Sequence, residues 1–157
     1  MKTWLPPHIS KIYEALTAIA DDRIKLMSDN SASVTSSSRG KSYTVAFDPQ
    51  TNSITSNDNT AFYTGSVSYP MVALLMYKGI VNYNHSLLSP LSNIVWKDIM
   101  QKYKNDYDKG IEYVLSELST KEIDIIEIRL EIDAIYKKVC ALKLKKLQPR
   151  LPPPLAY

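Results

Sequence analysis

The chain has 157 residues and a net charge of +3, with 45% hydrophobic and 22% charged residues, the balance of an ordinary globular domain rather than a disordered or membrane-spanning chain. The longest apolar run, Met71 to Tyr77, is far short of the roughly 20 residues that cross a bilayer, and the opening MKTWLPPHIS lacks the apolar stretch of a secretory signal. Cys140 is the single cysteine, which excludes an intramolecular disulfide and a multi-cysteine metal site and points to a reducing, cytoplasmic setting.

In chain order, Ile9, Ile12, Leu16, Ile19 and Leu26 predict a first helix from about Pro7 to Met27. The Ser-rich stretch Ser28 to Ser42 has little apolar content and reads as a flexible surface loop. Tyr43 to Phe47 alternates in β-forming residues, Asp48 to Asn52 is a turn and Ser53 to Asn57 returns, which predicts a hairpin, with Ala61 to Thr64 as a short third strand. Pro70 after Ser68 and Tyr69 starts a second helix that is apolar all round and should lie centrally, ended by Gly79. Ser89-Pro90 opens a third, reaching Lys104. Asn105 to Gly110 is a polar break and Ile111 to Leu118 a short fourth helix. Ser119 and Glu122 form a capping box for a last helix from Thr120 to Leu147.

That last segment carries Ile125, Ile128, Ile132, Ile135, Val139 and Leu142 on one face, a stripe that must be covered within the chain or by a second copy. The fold expected is therefore mainly α: a helical bundle of about five helices with a small inserted β-hairpin at about 42–65, a single domain over 1–148, and a Pro-rich extended tail at 149–157. Pro149 and Pro152 have P-x-x-P spacing, a weak signal for a groove-binding ligand.

Charge is unevenly spread. Residues 106–136 carry three bases against nine acids, whereas 137–157 carry six bases and no acid. An acidic start and a basic end suit a helix dipole, but they also leave a basic cluster able to meet phosphates. Tyrosine is abundant, with 11 copies, several beside lysines: Tyr77-Lys78, Lys102-Tyr103-Lys104 and Tyr136-Lys137-Lys138. Bases interleaved with rings are what a single-stranded nucleic acid uses, ammonium groups for its phosphates and rings for its bases; half-buried tyrosines on amphipathic helices give the same pattern. The candidate nucleic-acid contacts are Lys102, Lys104, Lys137, Lys138, Lys143, Lys145 and Lys146.

Groups that would carry catalysis are sparse. His8 and His85 stand alone, Cys140 lies beside the apolar stripe, and no phosphate loop, dinucleotide fingerprint or nucleophile elbow occurs. Asp21-Asp22, Asp106 with Asp108, and Asp124 with Glu127 and Glu131 are paired acids without an accompanying base or soft ligand. The expectation is a chain that is not an enzyme and has no cofactor or metal. Its partners are other protein subunits, RNA or single-stranded DNA, or a second copy through the terminal helix.

In layout the chain resembles the small subunits of CRISPR effector complexes, compact helical proteins of about this length. The hairpin Tyr43 to Asn57 after the first helix is similar to the small β element of the archaeal type I-A Cascade small subunit, while Leu87 to Leu147 resembles the all-helical type III small subunits. The resemblance implies a non-catalytic subunit in antiviral defence that stacks on neighbouring subunits and lines the path of a nucleic-acid strand. It carries no motif from which single residues could be transferred.

Overall fold

The computed structural model describes residues 1–155. Its order is α1 (Ser10–Ala20), β1 (Ile24–Ser28), β2 (Ser31–Thr35), β3 (Ser42–Asp48), β4 (Ser53–Ser56), α2 (Tyr69–Tyr77), α3 (Trp96–Lys102), α4 (Tyr107–Thr120), α5 (Ile125–Ala141) and β5 (Lys145–Lys146). A π-helical turn spans Thr60–Thr64 and a 3-10 turn His85–Leu87. The strands form one sheet in the order β1-β2-β3-β4-β5. The first three pairings are antiparallel and β4 with β5 is parallel. The fold is α/β, which corrects the expectation of a mainly α bundle with a small inserted hairpin. The expected hairpin is there as β3 and β4, but as the middle of a mixed sheet instead of an insertion.

Three stretches account for the difference. The expected helix over Pro7 to Met27 stops at Ala20, Asp22 takes a left-handed φ of 54°, and the chain returns as β1. Two acids at a helix C-terminus oppose its dipole and help to end it there. The Ser-rich loop is in part β2: Ser31, Ser33 and Thr35 are half-buried while Ala32 and Val34 are buried, so an alternation of small polar with small apolar residues hides a period of two beneath a loop-like composition. The expected helix over Thr120 to Leu147 ends at Ala141. Asn52 Nδ2 donates to Leu142 O at 2.7 Å, Lys143 turns left-handed at φ 52°, and Lys145 N and Leu147 N donate to Asn52 O and Ile54 O, both at 3.0 Å. Sheet pairing thus takes up backbone groups that a further helical turn would have used.

Two smaller corrections concern helix starts. Asp124, not Ser119, caps α5, its carboxylate accepting from Ile126 N and Glu127 N, both at 3.1 Å, while Glu122 sits at φ 61° outside any helix. Asp124→Ala should therefore cost about 1 kcal/mol and Ser119→Ala much less; paired urea melts of the two variants check this. The helix expected from Ser89-Pro90 begins only at Trp96. Gly110, expected at a break, lies inside α4, where a Cβ would stand 2.5 Å from Met100 Sδ, so a larger residue there would have to displace the Met100 side chain.

Helix α2 is buried over Pro70 to Met76. It lies against β2, β3 and β4 on one side and α1 on the other, with α4 and α5 beyond α1. Ile128, Ile132, Ile135 and Val139 are buried in this core, and Ile125 and Leu142 pack against it half-buried. The stripe of α5 is thus covered by its own chain, one of the two coverings that the sequence left open. Trp96 is buried, its indole N–H donating to Thr17 Oγ1 at 2.9 Å, and that hydroxyl donates to Leu91 O at 2.6 Å.

Tyr13 is 3% exposed, and burial pushes its phenol up to about 12, with Tyr69 raised in the same direction for the same reason. An unfolded tyrosine ionises near 10, so above about pH 10 the unfolded chain releases a proton that the folded chain keeps. Stability that is full below pH 10 is then lost as the pH rises toward 12. Between pH 9 and 11 the Tyr13 contribution falls by roughly 1 kcal/mol. Tyr13→Phe should flatten the decline in Tm over that range, as thermal melts at stepped pH will read.

Candidate nucleic-acid interface

The sheet edge at β5 is closed by the N-terminal segment. Lys146 N donates to Lys2 O at 2.7 Å, Trp4 N to Leu144 O at 2.9 Å and Leu5 N to Gly65 O at 3.0 Å. Trp4 is pinned through its indole N–H, which donates to Ile54 O at 2.9 Å. Beside this ribbon the π turn Thr60–Thr64, expected as a strand, is held at its start by Asp58, whose Oδ1 accepts from Ala61 N at 2.9 Å. The turn ends at Gly65, where φ is 66° and a Cβ would lie 3.2 Å from Lys146 Nζ. A π turn accommodates one residue more than an α turn, and the short stretch that results carries Phe62 and Tyr63.

Between the ribbon, the π turn and the start of the tail lies a groove of about 350 Å³. Its bases are Lys2, Lys146 and Arg150, its rings Trp4, Phe62 and Tyr63, and no acidic side chain among the described residues lines it. Lys146 Nζ stands 4.9 Å from the Trp4 ring centroid and the Arg150 guanidinium 4.0 Å from that of Phe62, both within cation–π range. Arg150 also donates through Nη2 to Phe62 O. Tyr63 is 74% exposed, and its contact with Phe62 is edge-on, at 84° and 5.0 Å. An exposed ring is a surface on which a base can stack, and the three cations that line the same groove are groups that can meet phosphates.

Of the seven lysines expected to contact nucleic acid, only Lys146 lines this groove, with Lys145 next to it on β5, paired with Ser53 and bridged to Thr3. Lys143 lines a separate cavity of about 230 Å³ with Trp4 and Cys140. Lys138 is on α5 and donates to Asn82 O at 3.1 Å, while Lys137 is exposed on the same helix. Lys102 lies over the Tyr113 ring at 4.8 Å, and Lys104, two residues past the end of α3, is left-handed at φ 53°. Lys2, Trp4, Phe62 and Tyr63 escaped the sequence reading. Lys2-Thr3-Trp4 carries the same basic–aromatic signature as the tyrosine–lysine clusters and could have been found by it.

Other candidates resolve into structural roles. His8 Nδ1 is 2.9 Å from Ser10 Oγ and its Nε2 3.1 Å from Asp108 Oδ1, the order of a Ser-His-Asp triad. Ser10 is wholly buried, however, and its own N–H donates to the same Nδ1, so the serine cannot meet a substrate and the constellation secures the start of α1. His85 is exposed and stacks on Tyr83 at 4.7 Å. Among the described residues no three His, Cys, Asp or Glu side chains gather as metal ligands would, and no helix is long and apolar enough to cross a membrane.

Comparison with known proteins adds a family. No curated protein and no solved structure matches the chain. The family model described as uncharacterised conserved protein UCP014422 matches residues 4–145, which takes in α1 to α5 and the sheet up to Lys145, and the chain belongs to that family.

Proposed function

We propose that this protein is a non-catalytic subunit of a nucleoprotein assembly and that it holds a single-stranded nucleic acid in the groove between β5, the N-terminal ribbon and the π turn. The observation that carries the reading is the groove's composition: Lys2, Lys146 and Arg150, with no acidic side chain among the described lining residues, in one groove with the exposed ring of Tyr63. Single strands fit better than duplex because a stacking ring needs an unpaired base, whereas duplex offers this surface only its backbone. The groove supports this reading without the likeness to CRISPR small subunits, to which no comparison links the chain. Packing on a neighbouring subunit has a separate support: Ile126 and Leu130, four residues apart on α5, are 70% and 65% exposed, a spacing that puts both on one face. The single cysteine suits a cytoplasmic assembly.

The test is binding of the full chain to single-stranded and duplex oligonucleotides across a salt series. Single strands should bind more tightly, with an affinity that falls linearly in log salt. Absence of binding to every oligonucleotide at low salt would overturn the proposal.

A further inference from the structure

A second cavity, of about 280 Å³, opens between α1, the N-terminus of α2 and α3. Two charged side chains that line it are largely withdrawn from water: Lys11 at 8% and Glu14 at 12% side-chain exposure, with Nζ and Oε2 3.2 Å apart. Burial alone lowers the Lys11 pKa, but Glu14 and Tyr107 outweigh it and hold the ammonium above its ordinary value, so it stays charged. Buried ion pairs seldom contribute net stability over apolar side chains of the same shape. Among the described residues Glu14 Oε2 has the Lys11 ammonium at 3.2 Å but no well-directed hydrogen bond, so this buried carboxylate oxygen keeps a lone pair for a further donor. Lys11 has three N–H bonds to place; one lies toward Glu14, and the ammonium sits 4.5 Å over the Tyr107 ring. The third buried charge in the wall, Asp58, is already served by Ser56 Oγ at 2.6 Å, Ser68 Oγ at 2.5 Å and Ala61 N at 2.9 Å.

We infer that this cavity binds a small uncharged molecule by an amide edge, Lys11 donating to its carbonyl oxygen and the Glu14 carboxylate accepting its N–H. Charge and geometry select this chemistry together. An anion would meet Lys11 but be repelled by Glu14, and a cation the reverse, each leaving a buried charge uncompensated. A donor and an acceptor side by side on the protein are matched by an acceptor and a donor on adjacent ligand atoms, the arrangement in an open carboxamide or in the lactam of a heterocycle. The volume lies just below the range of drug-sized pockets, so the occupant is of metabolite size. The exposed amides of Asn59, Gln101 and Asn105 line the same cavity and offer contacts for the rest of such a molecule.

The experiment is calorimetric titration of the full chain with uracil, a cyclic amide, and nicotinamide, a primary carboxamide, each beside its N-methylated form, 1,3-dimethyluracil or N,N-dimethylnicotinamide. Saturable binding of one parent compound, weakened at least tenfold by methylation, is the expected result and separates the two sources. Gln101→Trp, which fills the cavity mouth from an exposed position, should abolish that binding, as should the double variant Lys11→Met with Glu14→Met, which removes both charges at similar volume. Should the double variant not fold, Gln101→Trp decides. Lack of binding by both parent compounds, or binding that survives Gln101→Trp, overturns the inference.

Discussion

Ile132→Asp should leave the chain unfolded at room temperature. Ile132 is wholly buried, flanked along the same face of α5 by Ile128, Ile135 and Val139 at 5% exposure or less. A carboxylate there loses the packing of the isoleucine, leaves a void, and is desolvated without a partner. The first two effects alone amount to about 2–5 kcal/mol and an unpaired buried charge adds several more, against a total stability of about 5–15 kcal/mol for a domain. Ile132→Val, which removes one methylene, should cost only about 1 kcal/mol and keep the fold. Circular dichroism and size-exclusion chromatography of the two variants are decisive. Were the stripe an interface between copies, the aspartate variant would run as a folded monomer with a native spectrum, and the placement of α5 against α1 and α4 would be wrong.

Replacing Lys2, Lys146 and Arg150 together by glutamine should remove most single-strand binding. Each phosphate contact contributes about 0.7 to the slope of log affinity against log salt for a single strand. The triple variant should therefore flatten that slope by about 2 and weaken binding at 50 mM salt by roughly a hundredfold. Glutamine retains much of the aliphatic stem that packs on Trp4 and Phe62, so the groove keeps its walls while losing its charge. The informative control is a second variant with Lys102, Lys104, Lys137 and Lys138 changed to glutamine. It removes one more charge than the first but leaves the groove intact, so its slope should stay near that of the parent protein. Equal loss in both variants would mean that diffuse surface charge, and not the groove, holds the strand.

How legible the fold was in the sequence depended on whether each segment's partner was local. The β3–β4 hairpin pairs with itself across a short turn, and the alternation from Tyr43 to Phe47 revealed it. Helix α2 announced itself by Pro70, an unbroken apolar run and Gly79, which takes a φ of 74°. Strands β1 and β5 had no such signal. Leu26 belongs to an apolar stripe that continues from α1, so only the left-handed Asp22 separates helix from strand. Lys145 and Lys146 become a strand because β4, some ninety residues earlier, presents a free edge. The groove was obscure for the same reason. It joins residues from both ends of the chain to a π turn, and of these only Lys146 and Arg150 fell in the basic cluster that composition picked out.

The π turn at Thr60–Thr64 is the partition between two chambers. Thr60 faces the cavity of Lys11 and Glu14, and Ala61 to Thr64 face the groove, with Asp58 gripping the partition at its base. An occupant that tightens or displaces this turn from one side alters the shape offered on the other. Thermodynamic reciprocity then applies: whatever factor a small molecule in the first chamber imposes on strand affinity in the second, the strand imposes on the small molecule in equal measure.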